Sequence, residues 1–127
     1  YGFDDAIYVS LRLAQLLSKT DRLLSDLVSG IPKYFSTPEM RLECKDDEEK
    51  FKISKQADDY FSSNYNCSTI DGVRIKYDDG WALVRASNTQ PVIVCRFEAK
   101  TIERMEIIKK EILDKLNGFG DIKLENF

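Results

Sequence analysis

A seven-residue segment in the second half of the chain, RASNTQP at residues 85–91, combines several hydrogen-bond donors with no glycine. Arg85 carries a guanidinium and Asn88 an amide, while Ser87 and Thr89 add hydroxyl groups. A phosphate monoester presents three oxygens as acceptors, and the planar fork of one arginine can satisfy two of them. The segment therefore predicts a phosphate-binding loop. The residue types alone leave a second interpretation open, in which the short polar side chains satisfy only their own backbone.

Two predicted strands hold this segment between them. Residues 81–84 and 92–99 are rich in the β-branched and aromatic side chains that favour strands. Alternate side chains of a strand share one side, so Arg85 and Ser87 should reach the same space where the first strand ends. We expect Asn88, which tolerates left-handed backbone angles, and Thr89 to turn the chain, and Pro91 to fix its exit.

The pattern from residue 34 onward predicts the element order β-α-β-β-β-α. Asp46 and Thr101 stand where they can cap the two helices, and the charged run at residues 45–50 is expected to be solvated. This order predicts an α+β fold, a four-stranded antiparallel sheet with two helices on one face, like that of the TATA-box-binding protein. The predicted strands cover residues 39–44, 69–77, 81–84 and 92–99.

The first 33 residues carry two helical patterns and no strand pattern. An aspartate at position 4 or 5 can cap the first helix, and Thr20-Asp21 can cap the second. Two helices joined this closely cannot bury a core of their own. We therefore expect residues 1–33 to be the C-terminal helices of an adjoining domain with a connector, and residues 34–127 to be a separate domain.

Composition and charge exclude several classes of function. The chain has 127 residues and a net charge of −3, so we expect no general binding to nucleic acid or membranes. It has no histidine, which excludes imidazole acid/base chemistry and imidazole metal sites. Cys44, Cys67 and Cys95 are far apart, and we expect buried free thiols in a reducing cytoplasm. No signal peptide is visible, and the start at Tyr1 rather than Met predicts an excised domain.

The segments around the loop resemble one enzyme family. DGVR at 71–74, GWALVRASNTQPV at 80–92 and RFEA at 96–99 resemble the fourth, C-terminal domain of the α-D-phosphohexomutases. The phosphomannomutase/phosphoglucomutase branch is the most similar. Residues 4–6 and 32–39 also resemble the passage from the third to the fourth domain, so the similarity covers nearly the whole chain.

The resemblance implies a role for this chain within a larger enzyme. Members of the family move a phosphoryl group between the 6- and 1-hydroxyls of a hexose, using a phosphoserine of the first domain and Mg²⁺ held by the second. The resemblance therefore implies no catalytic residue and no metal site in this chain. It implies a clamp for the phosphate that is not transferred, formed by Arg85, Ser87, Asn88 and Thr89. The piece alone is expected to be folded and inactive, with a phosphosugar and the other domains of the same chain as partners.

Asn88 and Gln90 bear on the choice of sugar. They depart from the Ser-Gly-Thr-Glu-Pro form that resembles phosphoglucosamine mutases, which points to mannose or glucose phosphates. A phosphoglucosamine-type mutase fragment, or a stand-alone anion-binding or interaction module, is the alternative. An RNA-binding module is disfavoured because such sheets display paired aromatic side chains and carry positive charge.

Five further residues lie near the loop or the domain boundary. Arg74 and Lys76 lie on the polar side of a strand, where they could attract phosphate or form a plain solvated face. Trp81 is expected to anchor the end of the sheet. Lys33 and Tyr34 fall at the domain boundary, where a hinge and a simple connector are both consistent with the sequence.

Overall fold

The computed structural model describes residues 4–124 of the chain. The chain divides into two compact units, one on each side of the Lys33–Tyr34 peptide bond. The first unit holds helices α1 (Ala6–Leu17) and α2 (Leu24–Val28). The second holds, in order, β1 (Phe35–Ser36), β2 (Met40–Glu43), α3 (Asp47–Asn64), β3 (Cys67–Ser68), β4 (Val73–Tyr77), β5 (Gly80–Ala86), β6 (Val92–Ala99), α4 (Ile102–Asn117) and β7 (Lys123–Leu124). The assignment of the first unit to an adjoining domain stays a prediction.

The first unit confirms one predicted helix cap and corrects the other. Asp5 caps α1, where its carboxylate accepts a hydrogen bond from the Tyr8 amide over 2.9 Å. Helix α2 begins later than predicted, after Leu23, and has no side-chain cap. The Thr20 hydroxyl oxygen instead accepts a 3.2 Å hydrogen bond from Arg22 N, which forms a turn before the helix.

The second unit is built on one antiparallel sheet with the strand order β3-β4-β5-β6-β2-β7, and β1 pairs with the C-terminal end of β6. The α+β class and the four longer strands are confirmed. The strand count is corrected, because the described residues form seven strands. Three of them have two residues each, too few to show an alternating pattern in the sequence. The likeness to the TATA-box-binding protein stays a prediction.

The predicted strand at residues 69–77 is shorter in the structure. It begins only at Val73, because Gly72 just before it takes a φ of 70° that an extended strand does not allow.

Helices α3 and α4 cover the same face of the sheet, as predicted. Asp46 and Thr101 cap them by accepting hydrogen bonds from Glu49 N at 2.9 Å and from Arg104 N at 3.1 Å. Their buried side chains recur every three or four residues and join one core with the inward side chains of the strands. This core contains Leu42, Ile53, Ala57, Phe61, Val73, Ile75, Ala82, Val84, Ile93, Cys95, Phe97, Ala99, Met105, Ile108, Ile112 and Leu116.

The three cysteines are free. Cys44 and Cys95 are buried, as predicted, whereas Cys67 is half-buried because its strand lies at an edge of the sheet. Burial raises the pKa of each of the three thiols. Among residues 4–124, no helix has both the length and the hydropathy that crossing a bilayer requires.

Two tyrosines share one carboxylate, which makes the stability of the second unit sensitive to alkaline pH. The hydroxyls of Tyr65 and Tyr77 donate to Glu111 Oε1 over 2.7 and 3.1 Å. The hydrogen bond to Glu111 raises the pKa of Tyr65 from 10.0 to about 12, and burial together with Glu111 raises that of Tyr77. A pKa raised by folding stabilises the folded state below the ordinary pKa, and the contribution disappears as pH rises through the folded value.

We therefore expect the free energy of unfolding to fall as the pH rises from about 10 to about 12. Denaturant unfolding of the wild-type chain and of Tyr65→Phe across this range measures the effect. The variant should show a smaller loss, because it has one fewer phenol to ionise beside Glu111. Equal pH dependence in the two proteins would contradict this account.

Candidate functional site

The predicted phosphate loop connects β5 to β6 as a tight turn at residues 87–91. Ser87 N donates to Val92 O over 3.0 Å, and Val92 N donates to Gln90 O over 2.8 Å. The tolerance of Asn88 for left-handed angles is not used, since among the described residues only Gly72 has a positive φ. The turn needs no glycine because each of its residues keeps a backbone conformation that ordinary side chains adopt.

Arg85 lies within strand β5 rather than in the turn. It pairs with Val94 of β6, and it faces away from the helices because its neighbour Val84 is part of the core. Its side chain is 35% exposed, and Nη1 lies 3.3 Å from Asp71 Oδ2. A guanidinium has five N–H donors, so this contact leaves others for a ligand.

The three polar residues after Arg85 differ in their contacts. The Ser87 hydroxyl oxygen accepts a 3.3 Å hydrogen bond from Thr89 N. For Ser87, therefore, the alternative interpretation holds, in which the side chain forms a hydrogen bond with the backbone of its own turn. The hydroxyl proton of Ser87 remains able to donate. Asn88 and Thr89 are exposed, and within residues 4–124 their side chains form no hydrogen bond. All four predicted residues thus lie at one end of β5.

Lys50 of α3 contacts this loop, and the sequence pattern did not predict it. Its side chain is only 2% exposed, so the expectation of a solvated charge run at residues 45–50 is wrong at this position. Nζ donates a 2.7 Å hydrogen bond to Asp47 Oδ1. It donates two more to the loop, to Ser87 O at 2.8 Å and to Gln90 O at 3.0 Å. The three donors of the ammonium thus have three acceptors, which offsets the cost of burying the charge.

The burial of Lys50 could have been predicted from its position in the helical pattern. Together with Ile53, Ala57 and Phe61 it recurs at helical spacing, on the face of α3 that enters the core. A lysine at a core position of an amphipathic helix indicates a buried partner, because lysine is almost never fully buried without one.

Three cationic side chains lie beside the loop, although the chain has a negative net charge. Arg41 of β2 and Arg85 of β5 both pair with Val94, one on each side of β6. Arg41 Nη2 also donates to Gln90 Oε1 in the loop itself. Lys50 is the third cation, and the carboxylates of Asp47 and Asp71 partly neutralise Lys50 and Arg85.

Arg74 and Lys76 lie on the same open face of the sheet, farther from the loop than Arg85. The Arg74 guanidinium carbon lies 4.4 Å from the centroid of the Trp81 ring. Trp81 Nε1 donates to Glu98 Oε1 over 3.1 Å, which anchors the indole on the sheet as predicted. Lys76 pairs with Trp81 across the strands, two residues farther along β4 than Arg74. A role for either cation in attracting phosphate stays a prediction.

The part of the chain that holds the loop matches a known domain family. The sequence profile described as "Phosphoglucomutase/phosphomannomutase, C-terminal domain" matches residues 39–115, which include Arg41, Lys50 and the whole loop. This chain belongs to the phosphoglucomutase/phosphomannomutase family. The resemblance drawn from the sequence motifs is therefore confirmed.

Individual phosphoglucomutase/phosphomannomutase sequences match most of the chain. A phosphomannomutase/phosphoglucomutase of Pseudomonas putida is 44% identical over 109 residues, which is 86% of this chain and 24% of that protein. The protein of the same name from Pseudomonas aeruginosa is 42% identical over 118 residues, 93% of this chain and 26% of its own length. The crystal structure of a phosphoglucomutase/phosphomannomutase family protein from Burkholderia thailandensis matches with a TM-score of 0.69 at 35% identity, over 96% of this chain and 26% of that one. The chain spans about a quarter of the length of these relatives.

Two carboxylates of the acidic run at residues 46–49 have partners within the chain. Asp46 caps α3 and Asp47 binds Lys50, so both carboxylates already have partners. Within the described residues, no group of three Cys, Asp or Glu side chains is arranged to hold a metal ion.

Proposed function

We propose that this chain is the phosphate-binding, C-terminal part of a phosphomannomutase/phosphoglucomutase. The parent enzyme interconverts hexose 6-phosphate and hexose 1-phosphate through a bisphosphorylated intermediate. A phosphoserine in another domain gives its phosphoryl group to a sugar hydroxyl, and the intermediate later returns a phosphoryl group to the serine. This chain holds the phosphate that is not being transferred, and it has no mutase activity by itself.

The arrangement at the end of β5 is the observation that supports this proposal. Arg85 presents a half-exposed guanidinium, and the exposed side chains of Asn88 and Thr89 follow within one turn. Each hydrogen bond between such a donor and a charged phosphate contributes about 1.5–3 kcal/mol. About four of them in a preorganised loop give affinities between roughly millimolar and micromolar.

Holding the distal phosphate orients the reacting oxygen of the sugar. Binding energy from a group that does not react can be used to position the group that does, which lowers the entropic part of the barrier. No residue of this domain has to move a proton, and the lack of histidine is no obstacle to such a role. A clamp that recognises only phosphate also lets either end of the sugar face the phosphoserine, which interconversion requires.

We also propose the substrates and surroundings of the parent enzyme. Asn88 and Gln90 favour mannose or glucose phosphates over the substrate of a phosphoglucosamine-type mutase. Mg²⁺ is held by another domain of the parent, as the resemblance to the family implies. The parent acts in the cytoplasm, with its other domains as the partners of this chain.

Adding mannose 1-phosphate to the ¹⁵N-labelled chain should shift amide resonances at residues 85–91, because the donors lie there. A series of ¹H–¹⁵N correlation spectra measures these shifts. Mannose without phosphate serves as the control and should leave the same resonances unchanged. Shifts elsewhere in the chain, or none at high millimolar ligand, would contradict the proposal and favour a stand-alone interaction module.

A further inference from the structure

We propose that Lys50 is a positioning residue that orients the backbone of the phosphate loop, so that the amide of Asn88 faces the bound phosphate. The proposal rests on the phosphate-binding function given above and adds to it a residue that does not touch the substrate.

The Lys50 ammonium joins both ends of the turn to helix α3. It donates to Ser87 O and Gln90 O, over 2.8 and 3.0 Å. Gln90 O also accepts the Val92 amide, so this carbonyl is held from two sides. Asp47 takes the third donor of the ammonium over 2.7 Å. With all three donors engaged, the ammonium holds the two loop carbonyls in fixed directions.

The direction of the Ser87 carbonyl decides where the next amide points. In a planar trans peptide the carbonyl oxygen and the following N–H point in opposite directions, and the described residues contain no cis peptide. Because the Ser87 carbonyl points to Lys50, the Asn88 N–H points away from α3. Within residues 4–124 this N–H has no hydrogen-bond partner, and Asn88 is exposed. An outward N–H close in sequence to Arg85 is suited to donate to a phosphate oxygen.

Removing the ammonium should change the direction of these peptides. A methionine at position 50 would fill much of the same volume, but it would leave the Ser87 carbonyl without its donor and the Gln90 carbonyl with the Val92 amide alone. Because Lys50 is buried, the Ser87 carbonyl that faces it would have neither a donor nor water there, so the turn should rotate to expose this carbonyl to water. The same rotation would turn the Asn88 N–H away from the position that it holds in the wild-type chain.

The first test compares loop order without any ligand in the wild-type chain, Lys50→Met and the matched control Lys55→Met. Lys55 is an exposed lysine of the same helix. Backbone order parameters from ¹⁵N relaxation should be about 0.85 at residues 87–90 in the wild-type and control chains, and below about 0.6 in Lys50→Met. A loop in Lys50→Met that is as rigid as in the wild-type chain and keeps the wild-type chemical shift of the Asn88 amide would overturn the proposal.

The second test adds inorganic phosphate to the same three proteins. The Asn88 amide proton should shift downfield in the wild-type and control chains, and phosphate should bind Lys50→Met at least about tenfold more weakly. An unchanged Asn88 shift and affinity in Lys50→Met would overturn the proposal. If the wild-type chain itself shows no shift at residues 85–91, the proposed function fails instead, while the ligand-free comparison still reports on the link between Lys50 and the loop.

A third measurement uses the wild-type chain alone, so it does not depend on the folding of a variant. The ammonium protons of Lys50 should exchange slowly with water and show couplings across the hydrogen bonds to the carbonyl carbons of Ser87 and Gln90. The ammonium of the exposed Lys55 provides the comparison. Exchange at Lys50 as fast as at Lys55 would overturn the proposal.

Discussion

Replacing Arg85 by alanine in the full-length parent enzyme should lower kcat/KM for hexose phosphates by at least about a hundredfold. The guanidinium is proposed to make two charge-assisted hydrogen bonds to phosphate, each contributing about 1.5–3 kcal/mol, and about 1.4 kcal/mol corresponds to a factor of ten. Both kcat and KM should change, because energy from the distal phosphate also orients the reacting oxygen. Steady-state kinetics with mannose 1-phosphate and glucose 1-phosphate measures the effect.

Arg96→Ala is the matched control for this experiment. Arg96 lies on the open face of the same sheet, where it pairs with Leu83, and it is exposed. Its replacement removes the same charge without touching the loop and should change kcat/KM only a few-fold through the general field. Arg85→Lys keeps the charge but loses the planar fork. Its kcat/KM should lie between those of Arg85→Ala and Arg96→Ala. Turnover and affinity that survive Arg85→Ala unchanged would refute the assignment of the clamp.

Gly72→Ala should destabilise the second unit by about 2–5 kcal/mol. Gly72 has a φ of 70°, and the left-handed region costs an alanine about 1–2 kcal/mol. A methyl group there would also lie 2.4 Å from Val84 O and 2.5 Å from Arg85 Cβ, so the loop before β4 and strand β5 must separate. Such overpacking adds about 1–3 kcal/mol. Denaturant unfolding followed by the fluorescence of Trp81, the single tryptophan, measures the loss.

Gly118→Ala gives a control in the same unit. Gly118 ends α4 with a φ of −75°, which alanine adopts freely, and its nearest contact for a methyl group is Lys115 O at 3.2 Å. This variant should lose less than about 1 kcal/mol. Gly72→Asn separates the two causes at position 72, because asparagine tolerates left-handed angles but still carries the clashing carbon. Equal stability of the Gly72 and Gly118 alanine variants would contradict the close approach of the loop to β5.

Much of the second unit could be predicted from local patterns. Strand β6 has the predicted bounds of residues 92–99, and Thr101 caps the following helix as its position suggested. These predictions succeed because strand alternation and helix capping depend on residues that are close in sequence. The two-residue strand β3 could not be predicted, because it is defined only by its pairing with β4, which lies several residues farther along the chain.

In the loop, too, some features follow from the local sequence and others depend on residues that are distant in the chain. The donors of Arg85, Ser87, Asn88 and Thr89 are visible as residue types in one segment. The contacts that orient them come from elsewhere in the chain. Lys50 reaches the loop from α3 and Arg41 reaches it from β2, and both were missed as parts of the site.

The sequence by itself determined the α+β class, the approximate positions of the main helices and strands, and the chemical character of the loop as a set of donors for an anion. Only the tertiary structure decided which donors point outward, which carboxylate holds Arg85, and that one lysine of a charged run is buried beneath the turn. The physical reason is the distance along the chain over which each effect acts. Backbone preferences and amphipathic periodicity act within a few residues, whereas the burial of Lys50 depends on acceptors 37 and 40 positions away that only the packed sheet brings to it.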